Sequence, residues 1–333
     1  MPLTDDQSTR PAAIRAARER LRGHLRLTPF DVSLSLSQRL GGEVRLKDEH
    51  LQHTGSFKAR GALHKLLCLT PDARQRGVVA ASSGNHGAGV AWSCRLTGTP
   101  AVIFVPEQAS DTKVAMIRRY GAEVRFFGVD GLDTEEHARD VAVREGSTYV
   151  SPYNDVEVMC GQGTIGVEIA EQLGGTTLDA LVVAVGGGGL IGGIAAYLKH
   201  VMPTVRIIGA LPANSPVMAE SVAAGHIVTR ESFPTLSDGT AGGIEAGSVT
   251  FPVCQAMVDE WVQVEEGEIA SAMRRFVEEH HQVIEGAAGV ALAALERRAK
   301  SGGAEGLGGQ RVGVVLCGAN ISNARLVEVL SGE

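Results

Sequence analysis

Hydrophobic and polar positions along this chain alternate between two spacings. From residue 77 onward, apolar runs such as "GVVAASSG" (77–84), "PAVIFVPEQ" (100–108) and "EVRFFGV" (123–129) are each followed by a stretch with helical spacing, and "TYVSP" (148–152) closes the series. Short apolar runs of this kind predict buried strands, and the stretches between them predict helices. The region therefore predicts a parallel sheet that is covered by helices on both faces.

The same alternation returns further along the chain. Apolar runs that predict strands stand at 178–189, 205–212, 260–264 and 312–318. Before residue 77, the spacing predicts an amphipathic helix at 15–26, a short strand at 43–49 and a helix at 56–69. With 333 residues, the chain is longer than one typical core needs. The pattern predicts an α/β fold with two open, mostly parallel, twisted sheets and a ligand site in the cleft between them.

One segment, 180–198, resembles a membrane span in its hydropathy. The run "ALVVAVGGGGLIGGIAAYL" has no charged residue and is about long enough to cross a bilayer. Its first part is β-branched, its middle is rich in glycine and its last part is rich in Ala and Leu. That order predicts a strand, a glycine turn and a buried helix, so no membrane segment is expected.

Composition narrows the class of protein further. The net charge of -7 and the lack of a block of Lys and Arg argue against a nucleic-acid partner. Five cysteines without a CxxC pair favour reduced thiols over a disulfide framework or a zinc site. Residues 1–10 are polar and acidic, unlike the start of a signal peptide. These features predict a cytoplasmic protein.

Four consecutive glycines, Gly186 to Gly189, stand between a predicted strand and a predicted helix. Glycines let the backbone bring several N–H groups to one anion at a helix N-terminus, whereas a tight turn without a ligand needs fewer of them. Gly187, Gly189 and Gly192 match GxGxxG formally, but the next strand ends in Leu211, where a dinucleotide site requires an acid. NAD is therefore not expected, and a monophosphate ester is the favoured ligand.

A second glycine turn, in "SSGNHGAGVAW", carries hydroxyl, amide and imidazole groups. Ser82, Ser83, Gly84 and Asn85 can serve as a helix cap alone, or their N–H groups can hold a carboxylate while the Asn85 amide binds a phenolic oxygen. His86 is a candidate for catalysis, although a structural role is the more frequent one at such a position.

The stretch "HTGSFKARGA" places Lys58 directly after Phe57, at the start of a predicted helix. Alone, Lys58 is indistinguishable from an ordinary surface lysine. Followed in order by "SSGNHG", "VGGGGLIGG" and "LCGAN", the stretch resembles the fold-type II pyridoxal-phosphate (PLP) enzymes, in particular the threonine dehydratases and serine racemases. The resemblance covers nearly the whole chain and implies the tryptophan synthase β-like fold. It also implies a large PLP-binding domain, 1–76 and 152–333, and a small mobile substrate-binding domain, 77–151.

The resemblance implies a role for each matching residue. Lys58 forms the Schiff base with PLP and acts as the catalytic base, and Phe57 lies against the cofactor ring. Asn85 binds the 3′-oxygen of the cofactor. Cys317 faces the pyridine nitrogen, which a neutral thiol cannot keep protonated; without the resemblance, it is equally a small buried apolar residue. The residues that bind the cofactor phosphate are Gly186, Gly187, Gly188 and Gly189, with Leu190 following.

The implied reaction is the dehydration of a β-hydroxy amino acid. The substrate amine displaces Lys58, which removes the Cα proton while PLP delocalises the charge. The β-hydroxyl leaves as water, protonated through the cofactor phosphate, and the released aminoacrylate hydrolyses to a 2-oxo acid and ammonia. The residues expected on the substrate side are Ser82, Ser83, Gly84, His86, Asp238, Gly239 and Glu285. Solvated or helix-capping carboxylates are the alternative for Asp238 and Glu285.

Two departures from the family pattern narrow the prediction. Serine racemases carry an acidic cation site where this chain has Leu211, so no divalent metal is expected. The chain stops soon after "NISNARLVEVL", which leaves no room for the regulatory domain of biosynthetic threonine dehydratases, so feedback by isoleucine is not expected. A homodimer, the habit of the family, is the expected assembly.

The substrate is the most open part of the prediction. The segment "LSDGTAGGIEAGSVTFP" (236–252), with two adjacent glycines and Glu245, is similar to the hydroxyectoine-utilisation dehydratases, whereas threonine dehydratases are more basic there. The expected substrate is therefore threonine, serine or a hydroxyectoine-derived amino acid. The alternatives are a racemase that uses Lys58 and Ser83, or a catalytically silent PLP-fold binding protein. The intact Lys58, Asn85 and glycine loop weigh against the silent protein.

Overall fold

The structure is a computed structural model that describes residues 11–129, 131–303 and 306–332. Residues 1–10, and with them the expectation about a signal peptide, lie outside these ranges. The elements before residue 77 are α1 (Pro11–Leu21), β1 (Phe30–Val32), α2 (Leu34–Leu40), β2 (Glu43–Lys47), α3 (Lys58–Cys68) and α4 (Pro71–Arg76). The helix predicted at 15–26 thus begins and ends earlier, because Pro11 suits a first helical turn and the backbone reverses at Gly23 with a φ of 78°.

The next part of the chain forms a four-stranded sheet. Its elements are β3 (Val78–Ala81), α5 (Asn85–Thr97), β4 (Ala101–Val105), α6 (Asp111–Arg119), β5 (Glu123–Phe126), α7 (Gly131–Glu145) and β6 (Thr148–Tyr149). The strand order is β5-β4-β3-β6, and all neighbouring strands are parallel. Each crossover passes through one of the predicted helices, as parallel pairing requires.

The rest of the chain completes a six-stranded sheet. Its elements are α8 (Val156–Gln172), β7 (Ala180–Ala184), α9 (Gly189–Val201), β8 (Arg206–Pro212), α10 (Val217–Ala224), α11 (Thr250–Met257), β9 (Glu260–Val264), α12 (Glu266–His280), α13 (Gly286–Ser301), β10 (Arg311–Val315) and α14 (Asn323–Ser331). The strand order is β1-β2-β10-β7-β8-β9, and only β1 is antiparallel to its neighbour. The predicted α/β fold of two mostly parallel sheets is confirmed.

The apolar segment 180–198 divides as its residue order predicts. Its first residues form β7, the four glycines make the turn, and the remainder begins α9 in the protein interior. Within the described ranges, no helix combines the length and the apolar character that crossing a membrane would need.

Small residues let α3, α8 and α9 pack with their backbones close together. A Cβ added at Gly161 of α8 would lie 2.6 Å from the Cα atom of Gly61 in α3. On the other side of α8, a Cβ at Gly163 would lie 2.7 Å from the carbonyl oxygen of Gly193 in α9. Real Cβ atoms do not approach other atoms so closely, so larger residues would push these helices apart. The glycines therefore fix α3, which carries Lys58, against α9, which begins at the glycine loop.

Four buried charges lie beneath the start of α3. The side chains of Lys47, Glu49, Arg60 and Glu168 are each at most 1% exposed. Glu168 accepts hydrogen bonds from Lys47 Nζ at 2.7 Å and from Arg60 Nη1 and Nη2 at 2.8 Å each. Glu49 accepts from Arg60 Nε and Nη2, both at 2.7 Å. Two carboxylates thus neutralise two cations, and their bonds tie β2, α3 and α8 together.

Candidate active site

Backbone hydrogen bonds join Lys58 to the C-terminal end of β10. The N–H of Phe57 donates to the Cys317 carbonyl oxygen at 3.1 Å. One residue earlier, Ser56 forms an antiparallel bridge with Gly318. The first and the last of the matching segments, "SFKAR" and "LCGAN", are therefore neighbours. Phe57, Lys58 and Cys317 lie at the same point of the cleft.

The Lys58 amine lies in a poorly solvated position. Its Nζ donates to the Pro152 carbonyl oxygen at 2.8 Å and lies 5.2 Å from the centre of the Phe57 ring. Burial lowers the pKa of Lys58 from 10.5 to about 8, and the nearby carboxyls Glu135 and Glu285 oppose part of this shift. About a tenth of the amine is therefore uncharged at pH 7, far more than for an ordinary lysine, and the uncharged amine is the form that attacks a carbonyl group.

The four glycines form the turn between β7 and α9. Gly188 occupies the N-cap position of α9 in the left-handed region, with a φ of 83°, and no side chain caps the helix there. Thr250 Oγ1 donates to the Gly187 carbonyl oxygen at 2.6 Å, which holds the turn in place. The start of α9 thus has no side-chain cap, and its backbone N–H groups and helix dipole are of the kind that bind anions. Leu190, which follows, is buried in the core.

The ring of Tyr153 lies directly on Gly187. A Cβ added at Gly187 would overlap the ring, and one added at Gly189 would lie 3.1 Å from Tyr153 Cα. A Cβ at Gly186 would lie 2.9 Å from the Thr240 carbonyl oxygen. Glycine is therefore required at these positions by close packing, in addition to the left-handed turn at Gly188. Because Tyr153 follows Pro152, the acceptor of Lys58, the same segment connects the lysine to the glycine loop.

Replacing Gly187 with alanine is expected to weaken PLP binding at least about tenfold, because the methyl group must displace either the Tyr153 ring or the loop itself. The dissociation constant of PLP, measured by absorbance titration of the apoprotein, checks this. Gly243→Ala is the matched control, since a Cβ there would meet no atom within 4 Å. Equal affinities for the two variants would contradict a phosphate-binding role for the loop.

The second glycine turn presents Asn85 at the first position of α5. The N-cap residue is Gly84, and its N–H donates to Ser82 Oγ at 3.1 Å. Ser83 is half-buried in the same turn. His86 is buried, its Nε2 lies 2.8 Å from the Val150 carbonyl oxygen, and burial lowers its pKa to about 3. The imidazole is therefore neutral, and it anchors α5 to Val150, the residue that follows β6.

Cys317 is buried at the C-terminal end of β10. Burial raises the pKa of its thiol well above the usual value of 9, and the Glu285 carboxyl adds to the shift. The thiol is therefore neutral at physiological pH. This side chain therefore cannot form an ion pair with a cofactor atom that lies against it.

The three residues expected on the substrate side from later in the sequence lie at different depths. Asp238 is exposed and pairs with Lys113 across the cleft, with 3.1 Å between Nζ and Oδ2. Glu285 is buried, and its carboxylate accepts hydrogen bonds from the side chain of Asn85 at 2.8 and 2.9 Å. Gly239 lies nearby, since a Cβ there would be 3.8 Å from Glu285 Oε1.

A polar cluster near Tyr153 escaped the sequence analysis. Glu245 accepts from Asn154 Nδ2 at 2.7 Å and pairs with Arg139 Nη2 at 2.6 Å. Its backbone N–H donates to the Tyr153 hydroxyl at 2.9 Å. Glu135 accepts from the Tyr149 hydroxyl at 2.9 Å, and burial raises its pKa. The sequence indicated only one member of this cluster, Glu245, which stands in an unusual segment. The other members come from α7 and from residues 149–154, and no motif distinguishes them.

The residues brought together here suit PLP. Lys58 supplies an amine that is partly uncharged, the glycine loop supplies N–H groups for a monophosphate, and Cys317 supplies a neutral neighbour. Asn85 supplies an amide beside them. The two-sheet fold with this set of groups in its cleft defines a PLP-dependent enzyme of fold type II.

Comparison with known proteins agrees with this class. Residues 21–318 match the family of pyridoxal-phosphate dependent enzymes, so the chain belongs to that family and PLP is its cofactor. The chain is 40% identical over 308 residues to the L-threonine ammonia-lyase of Thermotoga maritima, covering 92% of this chain and 75% of that protein. It is 36% identical over 309 residues to the serine racemase of Arabidopsis thaliana, covering 93% and 92%. The processed threonine deaminase isoform 2 of Solanum lycopersicum has the same fold, with a TM-score of 0.90 and 30% identity over 96% and 91% of the two chains.

These relatives confirm the resemblance to threonine dehydratases and serine racemases that the motifs predict. Among the residues that the structure describes, no group of three or more His, Cys, Asp and Glu side chains could hold a metal ion. The expectation that the protein binds no divalent metal ion stays a prediction.

Proposed function

We propose that this protein is a PLP-dependent dehydratase that eliminates water from a β-hydroxy amino acid and yields a 2-oxo acid and ammonia. The observation that carries the proposal is the Lys58 amine, with a pKa of about 8, in a cleft that also holds a glycine cradle and a neutral Cys317. The relatives with ammonia-lyase, dehydratase and deaminase activity support it.

When bound, PLP supplies an electron sink for the charge left on the substrate Cα. The residues of the chain do the rest. Lys58 takes the Cα proton, a step that needs its amine uncharged. The backbone N–H groups at the start of α5 would hold the substrate carboxylate, and Asn85 would bind the 3′-oxygen of PLP. The neutral Cys317 thiol would offer the pyridine nitrogen no charged partner, which favours elimination.

A racemase is the second candidate, because Ser83 lies in the substrate-side turn and a serine racemase is among the relatives. In that reaction Lys58 and Ser83 would exchange protons with opposite faces of the substrate. Chiral analysis of serine after incubation with the enzyme separates the two activities, because elimination consumes serine whereas racemisation conserves it.

We further propose that the substrate is threonine, serine or a hydroxyectoine-derived amino acid. The segment around Glu245 supports the last of these, because it is less basic than the matching stretch of threonine dehydratases and its backbone N–H donates to the hydroxyl of Tyr153, whose ring lies on the glycine loop. For the assembly, we propose a homodimer. Leu27 and Leu34, which are 59% and 72% exposed, offer apolar surface for it.

We also propose that residues 1–76 and 152–333 form a large domain and that residues 77–151 form a small one. The proposed location of the protein is the cytoplasm.

Keto-acid release from four compounds tests the function and the substrate class together: threonine, serine, 3-hydroxyaspartate and the ring-opened hydroxyectoine product. We expect at least one of them to release keto acid and ammonia in equal amounts. No keto acid from any of the four would contradict the proposal.

A further inference from the structure

Glu285 stands at the N-cap position of α13, where an acidic side chain usually accepts from the first N–H groups of its own helix. Here no such side-chain cap is formed. The carboxylate turns the other way, to Asn85 of the four-stranded sheet unit, and it also accepts from the backbone N–H of Asn320 at 3.0 Å. The Glu285 side chain therefore does not cap its own helix, and instead it binds Asn85 on the other side of the cleft.

The Glu285 carboxylate lies directly against the backbone of Gly318. A Cβ added at Gly318 would lie 2.5 Å from Glu285 Oε1, so only glycine leaves room for it. The N–H of Glu285 donates to the Gly318 carbonyl oxygen at 3.0 Å, which fixes the start of α13 beside the end of β10. Glu285 is only 5% exposed, so the carboxylate meets protein groups rather than bulk water.

The hydrogen bonds around Asn85 determine which way its amide points. The Thr54 carbonyl oxygen can only accept, so Asn320 must present its Nδ2 there, at 2.7 Å. The same Nδ2 donates to Asn85 at 2.6 Å, so Asn85 must present its oxygen to Asn320. The nitrogen of Asn85 then faces Glu285, an acceptor, at 2.8 and 2.9 Å. All of these hydrogen bonds agree with the same orientation of the Asn85 amide.

We propose that Glu285 is a positioning residue that acts through Asn85, holding its amide with an N–H toward the cofactor, rather than a residue that binds the substrate. The inference rests on the proposed role of Asn85 at the 3′-oxygen of PLP. The Asn85 nitrogen carries two hydrogens, and the contact with Glu285 fixes the plane in which the other one points. Asn320 completes the arrangement from the opposite side and connects it to the segment before Lys58.

Two other groups bear on this arrangement electrostatically. The pKa of Glu285 is raised to about 7, because burial and the charge of Asp238 raise it by more than the hydrogen bonds from Asn85 and Asn320 and the charge of Lys58 lower it. The hydrogen bonds thus favour the ionised carboxylate, the form that accepts from Asn85 with both oxygens. Hydrogen bonds to charged groups are stronger than those between neutral ones, which suits a contact that must hold an amide in one orientation.

A double-mutant cycle on PLP affinity tests the proposal without any substrate. The dissociation constant of PLP is measured for the wild type, Asn85→Ala, Glu285→Ala and the double variant. We expect each single change to weaken binding about 10- to 100-fold, and the double variant to bind no more weakly than Asn85→Ala alone, because Glu285 has nothing left to position. Glu285→Gln keeps the size and one acceptor oxygen, so it is expected to regain most of the affinity. Glu285→Asp, whose carboxylate is one methylene further from Asn85, takes the place of Glu285→Ala in the cycle if that variant fails to fold.

A substrate-binding Glu285 would behave differently. It would leave PLP affinity within about twofold of the wild type, raise KM, and add its effect to that of Asn85→Ala, and this result would overturn the proposal. The side-chain amide resonances of 15N-asparagine in the apoprotein give a second readout, since those of Asn85 should shift in Glu285→Ala. Asn323→Ala, at an exposed position shortly after Asn320, is the control. Loss of dehydratase activity alone would bear on the proposed function and not on this cycle.

Discussion

Replacing Lys58 with alanine is expected to remove the visible absorbance of bound PLP and to lower keto-acid release at least about 10³-fold. No other amine takes its place at this point of the cleft among the residues that the structure describes, since Lys113 at the rim pairs with Asp238. Absorbance spectra of the purified variant after incubation with PLP, together with keto-acid assays, give the result. A variant that retains both the absorbance band and turnover would exclude Lys58 as cofactor anchor and base.

The same change is expected to leave the fold intact. A lysine whose folded-state pKa is lowered costs stability below that pKa, and the cost disappears as the pH rises from about 8 past 10.5. At pH 7 the apoprotein of Lys58→Ala should therefore unfold at no lower temperature than the wild type. Lys300→Ala, at an exposed position in the last turn of α13, is the control for losing one lysine and should keep full activity.

Replacing Glu168 with alanine is expected to lower the free energy of unfolding by about 3–5 kcal/mol. The change leaves two buried cations, Lys47 and Arg60, with Glu49 as the one remaining carboxylate of the four buried charges. Burial already lowers the pKa of Lys47, and without Glu168 the charged amine loses one of its two compensating carboxylates. Urea unfolding followed by circular dichroism measures the loss.

Glu171→Ala is the matched control for this prediction. Glu171 lies on the same helix, three residues further on, and its side chain is 52% exposed where it pairs with Arg18 at 3.5 Å. An exposed pair of this kind contributes little, so the variant should stay within about 0.5 kcal/mol of the wild type. If both variants were equally stable, the buried charges would contribute no more than surface ones, contrary to the prediction.

Much of the fold follows from the sequence because its signals are local. The alternation of apolar runs and helical stretches predicts almost every strand within a few residues, and only β1, a three-residue antiparallel strand, has no such signal. The motifs likewise identify Lys58, the glycine loop and Cys317. These residues carry their chemistry in their type and immediate neighbours, so they can be recognised one segment at a time.

The partners of those residues depend on distances that the sequence does not contain. Asn85 and Glu285 are 200 positions apart, and nothing near either residue indicates that they touch. Asn320 stands inside the quoted motif "LCGAN" without a sequence signal for its role, because that role depends on Thr54 and Asn85. Arg60 looks like part of a basic helix start beside Lys58, and its complete burial appears only when α8 brings Glu168 against it.

The central place of β10 has a consequence for how the enzyme is made. β10 lies between β2 and β7, and the residues after it hold Phe57 and Ser56 by backbone hydrogen bonds. A nascent chain that has emerged only as far as α13 already contains Lys58. It still lacks β10 and the Cys317 carbonyl oxygen, which hold the start of α3 in place. The four-stranded unit, with all its strands contiguous in sequence, can fold during synthesis. Because the proposed cofactor lysine is held against residues 311–318, we expect loading with PLP to be a late step in maturation, after these residues have left the ribosome.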